Sequence, residues 1–459
     1  MDTRCYQDRR TALRQTIANG ALLFVGHVES PRNYTANAYV FRQDSHMLYY
    51  TGVNRPGYAL LIEPDGTELL AGPPEDPDDI VWSGPQTTVE QWAGHAGIAR
   101  AVTMEALAGR IAALQKAGET LHYLPPHRPG QQGILSQLLD TNLNDIPQGA
   151  SPQLIKAVVD QRSVKEEAEI AEIENALAVS ARMFDAAARS ARPGATEAMV
   201  AGTLQGTALS YDRQQAYLPI VTVKGEVLHN NTYANTLRHG DLMLIDAGAE
   251  SPLGYASDIT RAYPVGGEFT PQQRDIYTIV LEAQQAVIDA AVPGVTNLHL
   301  HLLAAQTIAR GLRDLGLLHG SVEDIVDSGA HALFFPHGIG HMMGLDVHDM
   351  EDLGDAVGYG EGQKRSDQFG LAYLRLAKKL EPGFIFTVEP GIYFIDALID
   401  RWQAENRHSE YIDYHKVALF RGMGGIRIED DVLITPTGNR VLGPGIPKLL
   451  QDVEALMGQ

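Results

Sequence analysis

The sequence predicts a two-domain protein of mixed helix and strand, and three observations carry that expectation. At 459 residues the chain exceeds one ordinary core, since domains run to roughly 100–200 residues. The first 150 or so residues alternate short apolar strands with turn signals. Beyond them come long amphipathic helices whose endings repeat at an offset of 100 residues.

Composition supports a folded chain: 44% of residues are apolar and 20% charged, too hydrophobic for disorder. Thirty-six Lys and Arg stand against 57 Asp and Glu, a net charge of -21, which argues against nonspecific binding to nucleic acid or an anionic membrane. Met1-Asp2-Thr3-Arg4 opens no apolar leader, and no run of about 18 apolar residues could span a bilayer, so the expected compartment is the cytoplasm. Cys5 is the only cysteine, which excludes intrachain disulfides, cysteine zinc fingers and iron–sulfur clusters within one chain.

In the first part, Ala21–Val25 and Tyr58–Ile62 read as strands and Glu63-Pro64-Asp65-Gly66 as a turn, a pattern that predicts an α/β domain. The acidic, proline-rich run Pro73–Asp79 reads as a solvated loop. Ser163-Val164-Lys165-Glu166 has the spacing of a capping box and predicts a helix start, with Ile170, Ile173, Leu177, Ala181 and Phe184 as its apolar stripe. The boundary is therefore expected just upstream, giving domains 1–160 and 161–459. The helix ends at Arg192-Pro193-Gly194-Ala195-Thr196. A second, opened by Thr270-Pro271, ends at Val292-Pro293-Gly294-Val295-Thr296. The repeated ending hints at an internal duplication.

Four segments place acids or histidines beside glycines at strand ends. Leu242–Ile245 runs into Asp246, and a returning strand would bring Asp258 back beside it. Phe334–His341 continues to Asp346-Val347-His348-Asp349 and holds His337, His341 and His348. The spacing of His337 and His341 matches a helical zinc motif, but two intervening glycines and the lack of an adjacent Glu do not. Phe384–Val388 ends in Glu389-Pro390-Gly391. In Gly425–Asp431, alternation sets Ile426 and Ile428 on one face and Arg427 and Glu429 on the other. An isolated pair of aspartates would ordinarily cap turns or pair with bases, and a lone histidine is usually structural. Gathered together, however, Asp246, Asp258, Glu389 and Glu429 carry four negative charges that destabilise a partly buried site. Two divalent cations would cancel them. Mainly hard oxygen ligands with an imidazole suit manganese, and cobalt, iron or zinc fit the same donor logic. A two-metal centre makes hydroxide available near neutral pH and polarises a carbonyl, so hydrolysis is the natural reaction.

These segments, together with Phe41-Arg42-Gln43-Asp44-Ser45 and Tyr50-Thr51-Gly52, resemble the creatinase/methionine-aminopeptidase superfamily, and specifically its Xaa-Pro-cleaving members, prolidase and aminopeptidase P. The resemblance spans both domains and implies an α+β architecture: a C-terminal pita-bread catalytic domain with an N-terminal α/β creatinase-like domain, assembled as a homodimer. It implies Asp246, Asp258, His341, Glu389 and Glu429 as ligands of two divalent ions, Asp258 and Glu429 bridging them. Glu389 would also take a proton from the bridging water. His229, His337 and His348 would line the substrate pocket and steady the tetrahedral intermediate, and Arg427 would orient the carboxylates. The hairpin from Asp246 to Asp258 is one residue longer than the family pattern, at Ser251-Pro252, which leaves its strand ends in place.

Prolidase cleaves Xaa-Pro dipeptides, whereas aminopeptidase P takes the first residue from longer Xaa-Pro peptides. A dipeptide specialist needs a cation for the substrate's C-terminal carboxylate. Arg375 matches the position of such an arginine, although beside Lys378 and Lys379 it also reads as part of an ordinary basic helix face. The 40-residue connection between Glu389 and Glu429, containing Tyr393–Leu398 and Trp402, resembles the longer prolidase version and could cap the pocket. Both features favour a dipeptidase, with a longer-peptide aminopeptidase as the alternative. A noncatalytic peptide-binding protein on the same fold is a third reading, disfavoured because all five ligands are present. The expected partner is a proline-containing dipeptide or short peptide.

Overall fold

The computed structural model describes residues 1–74 and 78–458, with only the backbone of Asp79. Of the acidic run 73–79 read as a solvated loop, residues 75–77 lie outside the described residues, and Pro73, Pro74 and Asp78 are exposed. The chain forms two compact units. One comprises residues 1–162 with 350–356, and the other residues 163–349 with 357–459.

The N-terminal unit is built on strands β1 (Ala21–Val25), β2 (Ala59–Ile62), β3 (Glu68–Gly72), β4 (Arg100–Thr103) and β5 (Leu121–Tyr123). They lie in the order β4-β3-β2-β1-β5. The β1–β2 and β2–β3 pairs are antiparallel, and β4 and β5 each add parallel to an edge. Every residue of β1 and β2 is buried, because both faces are covered, and this is why those strands read as unbroken apolar runs rather than alternating ones. On one face Leu23, Val25 and Leu61 share a core with Leu107 and Ile111 of helix Met104–Lys116 and with Leu135 of helix Pro129–Leu139. On the other, Phe24 meets Tyr50 of helix Ser45–Thr51, their ring centroids 4.7 Å apart.

In the second unit, helix Glu167–Ser190 buries Ile170, Ile173, Leu177 and Phe184 of the expected apolar stripe, and Ala181 is half-buried. Its cap is not Ser163. That residue is the last of the preceding helix, Pro152–Ser163, and the reciprocal cap lies three residues later, where the Glu166 N–H donates to Glu169 Oε2 at 3.0 Å. The duplication is visible in the hydrogen bonds. After the first helix, the Gly194 N–H donates to Leu237 O and the Leu237 N–H to Ala195 O. After helix Pro271–Ala290, the Gly294 N–H donates to Leu380 O and the Leu380 N–H to Val295 O. All four distances are 2.8 Å. Gly194 and Gly294 share φ near +90°, the left-handed backbone that stops a helix at glycine. Thr196 and Thr296 then cap the next helices, Glu197–Ser210 and Asn297–Asp314.

These helix pairs accompany two three-stranded sheets: β6 (Ile220–Thr222), β7 (Leu242–Ala247) and β8 (Ile259–Pro264), and β9 (Ile385–Val388) with β12 (Asp430–Thr435) and β13 (Gly438–Val441). A short ribbon of β10 (Gly391–Tyr393) and β11 (Gly425–Arg427) continues from the second sheet. This is the pita-bread arrangement, in which two similar halves face the site between them.

Candidate active site

Strand register brings the acids together. In the β7–β8 hairpin Asp246 opposes Thr260, and Asp258 stands one residue before β8. The arms can close because Gly248 has no side chain: a Cβ there would lie 1.7 Å from Ser257 O. Glu389 sits at the break between β9 and β10, and Glu429 at the matching break between β11 and β12. Pro390, which has no N–H to give a ladder, forces the first break. The Glu429 N–H instead donates to Thr260 O at 3.1 Å, tying the second sheet to β8. The segment carrying His341 runs beside β9, with the Thr387 N–H bonded to His341 O and the Glu389 N–H to Ile339 O. Gly340 permits that approach, since a Cβ would fall 1.9 Å from Thr387 O.

The result is a cavity of about 520 Å³, lined by Asp246, Asp258, His341, Glu389 and Glu429 with His229, His337, His348, Arg375 and Arg427. The structure thus brings every site residue expected from sequence to one place. His341 Nε2 lies 3.4 Å from Asp258 Oδ2 and 3.8 Å from Glu389 Oε1, and donor atoms of Asp258, His341 and Glu429 fall within 4.8 Å of one another. Arg427 donates to Asp246 Oδ2, to Thr260 Oγ1 at 3.1 Å and to the Tyr393 hydroxyl at 2.9 Å. Tyr393 is also 2.9 Å from His337 Nε2, while His337 Nδ1 contacts Gly338 O at 2.8 Å. Only an N–H can serve that carbonyl, so Nε2 accepts from Tyr393, and a chain of donors runs from Arg427 through Tyr393 to His337. His348 packs edge-on against His341, ring centroids 4.1 Å apart. Arg375 is half-buried in the pocket wall and not part of an exposed helix face.

The electrostatics are those of crowded acids. Burial, then the charge of Asp246, pushes the Asp258 carboxyl up to about 7. Burial also raises Glu389 to about 7, against the pull of His341 and Arg427. Glu429 is held well above the usual carboxylate range by burial and by Asp258 and Glu389. Burial lowers His337 and His348 to about 3, so both are neutral at physiological pH. His341 Nδ1 serves Met342 O at 3.1 Å, which leaves an Nε2 lone pair facing two carboxylates. Such an arrangement is repulsive unless a cation lies between, and a ring nitrogen fixed by a backbone carbonyl is the usual second contact of a metal-bound histidine. The donor set therefore fits divalent metal ions.

Tyr217 was not legible in the sequence. Its hydroxyl donates to Asp246 Oδ1 at 2.6 Å and also contacts Asp258 Oδ1. Its one signal is positional: it lies three residues before Ile220, which pairs with Asp246 in register. The capping segment expected from the long connection is not realised. Trp402 lies in helix Asp396–Ala404 and is buried against Phe369, Arg407 and His408. Among the described residues that helix does not line the cavity. Its bulk serves its own core, so the argument it lent to a dipeptidase falls away.

Comparison with known proteins agrees with this geometry. The profile of metallopeptidase family M24 matches residues 171–436, and that of the aminopeptidase P N-terminal domain matches residues 6–122. A probable Xaa-Pro aminopeptidase of Uncinocarpus reesii is 32% identical over 91% of this chain and 86% of its own. The human Xaa-Pro dipeptidase is 41% identical, but over 48% of this chain and 43% of its own. Among solved structures, a variant of Escherichia coli aminopeptidase P in complex with substrate superposes with a TM-score of 0.82 at 29% identity, covering 100% of this chain and 98% of that one. With a catalytic unit matched along most of its length and an N-terminal unit of the accompanying type, the chain belongs to metallopeptidase family M24.

Proposed function

We propose that this chain is a metal-dependent Xaa-Pro aminopeptidase, which removes the first residue from peptides that carry proline second. The carrying observation is the convergence of Asp246, Asp258, His341, Glu389 and Glu429 in one cavity with an open, apolar mouth. Leu218 and Tyr373, both lining it, are 59% exposed, which suits a peptide that continues past proline. The relatives similar along most of the chain carry the same activity in their names.

In this reading Asp246, Asp258, His341, Glu389 and Glu429 would hold two divalent ions, as four carboxylates and one imidazole suit. Bound there, the metals supply a water acidic enough to attack at neutral pH and polarise the scissile carbonyl. The protein does the rest. Glu389 takes a proton from the attacking water and returns it to the proline nitrogen, which leaves as a secondary amine. His229 and His348, which line the same cavity, would steady charge developing on the carbonyl oxygen. Arg427 fixes Asp246 directly and His337 through Tyr393, so the carboxylates and the pocket wall keep one geometry. Manganese suits the oxygen-rich donor set and is the first metal to load. A cytoplasmic homodimer completes the proposal.

A second reading, the dipeptidase, rests on Arg375, whose charge lies in the pocket where a C-terminal carboxylate could pair with it. The two separate on Ala-Pro and Ala-Pro-Ala assayed side by side with manganese and after chelation. Cleavage of Ala-Pro-Ala, lost on chelation, is expected. Turnover of Ala-Pro alone, with Arg375→Ala impairing it selectively, would transfer the assignment to the dipeptidase.

A further inference from the structure

The N-terminal unit holds a second cluster of metal-ligating side chains. Donor atoms of His27, Asp44 and His127 lie within 4.8 Å of one another. Three separate segments supply them: His27 follows β1, Asp44 caps helix Ser45–Thr51, and His127 follows β5 just before helix Pro129–Leu139. His27 and Asp44 are 3% and 5% exposed, whereas His127 reaches solvent. Asp44 belongs to Phe41-Arg42-Gln43-Asp44-Ser45, none of which lines the cavity of the other unit.

The hydrogen bonds fix the tautomers. His27 Nδ1 is 2.9 Å from Arg42 O, so it carries the hydrogen and Nε2 keeps a lone pair. His127 Nδ1 lies 3.4 Å from Asp352 Oδ2, a carboxylate that favours the hydrogen on that nitrogen. The remaining nitrogens, His27 Nε2 and His127 Nε2, face each other at 3.1 Å, and Asp44 Oδ2 stands 4.0 Å from the first. Two lone pairs at that distance repel unless something positive is held between them.

The surroundings are rigid. The His27 N–H donates to Gln43 Oε1 at 2.6 Å. Asp44 Oδ1 accepts from the His46 and Met47 amides, and Oδ2 from Gln131 Nε2 at 3.1 Å. Each imidazole thus has its far nitrogen against an oxygen, and the carboxylate is itself hydrogen-bonded, as outer contacts orient metal ligands. Ligands about 2.0–2.1 Å from a tetrahedral zinc ion stand about 3.3 Å apart, close to the spacing of the two nitrogens. Two imidazoles and one carboxylate favour zinc over the harder ions of the catalytic centre. Arg42 and Arg128 lie nearby and oppose a cation, with Asp44 and Asp352 as the counterweight.

We propose that His27 Nε2, His127 Nε2 and Asp44 Oδ2 bind one zinc-class divalent cation, with water completing its coordination. The ion would tie the end of β1, the Ser45 helix and the segment after β5 into one support. The test is zinc content after chelator stripping and dialysis against a common zinc buffer. It compares the full chain with His127→Ala, whose site is exposed and so folds safely, and with Asp44→Asn, which keeps the cap acceptor and loses the charge. His127→Ala is expected to hold about one zinc fewer per chain, as loss of a ligand from a three-ligand site requires, while retaining Xaa-Pro cleavage. Asp44→Asn should bind that zinc more weakly. The same one-ion difference should persist when both proteins also carry Asp258→Asn, which separates this site from the catalytic one. Equal zinc content in the full chain and His127→Ala would overturn the proposal, leaving a proton shared between the imidazoles.

Discussion

Tyr217 shows how much of the site depends on single atoms. Its hydroxyl contacts both Asp246 and Asp258 and so fixes the two acids relative to each other. Tyr217→Phe should keep the fold and lower metal affinity or turnover roughly 10–100-fold, the range for lost outer contacts of a metal site. Metal titration with an activity readout checks this. Glu429 makes the opposite case, a residue that destabilises the metal-free fold. Its folded carboxyl is raised, so the native state binds more protons than the unfolded one, and stability falls as pH rises above the unfolded carboxylate range, about 4.3. Glu429→Gln removes that charge and keeps an acceptor for Thr260, which donates at 2.7 Å. Stripped of metal, the variant should melt higher than the parent at pH 7.5 and converge with it near pH 4.5. Each unit of elevation is about 1.4 kcal/mol. Thermal melts at both values decide. The acids were legible because each stands at or beside the end of a strand, next to apolar residues, where a charge stands out. Tyr217 was not, because a single tyrosine in a loop carries no pattern until the β6–β7 register is known.

At the scale of elements, glycines set how closely backbones approach. Gly340 lets the His341 segment lie along β9, and Gly340→Ala would press a methyl onto Thr387 O. Overpacking of this kind costs about 1–3 kcal/mol. Here the relief is to push His341 away from Asp258 and Glu389, so metal affinity should fall more than melting temperature. Equal, small effects on both would show that the segment accommodates the methyl without moving the ligand. Periodicity made the long helices readable, since burial of Ile170, Ile173, Leu177 and Phe184 follows directly from their spacing. Boundaries were harder. Ser163 and Glu166 have the spacing of a cap, yet the preceding helix, Pro152–Ser163, runs through Ser163. Trp402 misled differently: sequence shows an aromatic in a long connection but not which core it fills.

For the whole molecule, the duplication explains why the acids of the cavity come from such distant segments. The β7–β8 hairpin supplies Asp246 and Asp258 from one half, and β9 and β12 flank Glu389 and Glu429 in the other. The repeated Pro-Gly endings were visible in sequence, and the matching hydrogen bonds at Gly194 and Gly294 give that repeat its structural meaning. Peptide length was not legible, because sequence shows a candidate carboxylate partner in Arg375 but not how exposed Leu218 and Tyr373 are in the same cavity. The most direct test of a metal-dependent Xaa-Pro peptidase is the rate of alanine release from Ala-Pro-Ala and from Ala-Ala-Ala by manganese-loaded parent and Asp258→Asn. The parent should cleave the proline peptide selectively, and Asp258→Asn should lose more than the roughly 10–100-fold expected of an outer contact, together with manganese. Full activity in Asp258→Asn, or indifference to proline in the parent, would contradict the assignment.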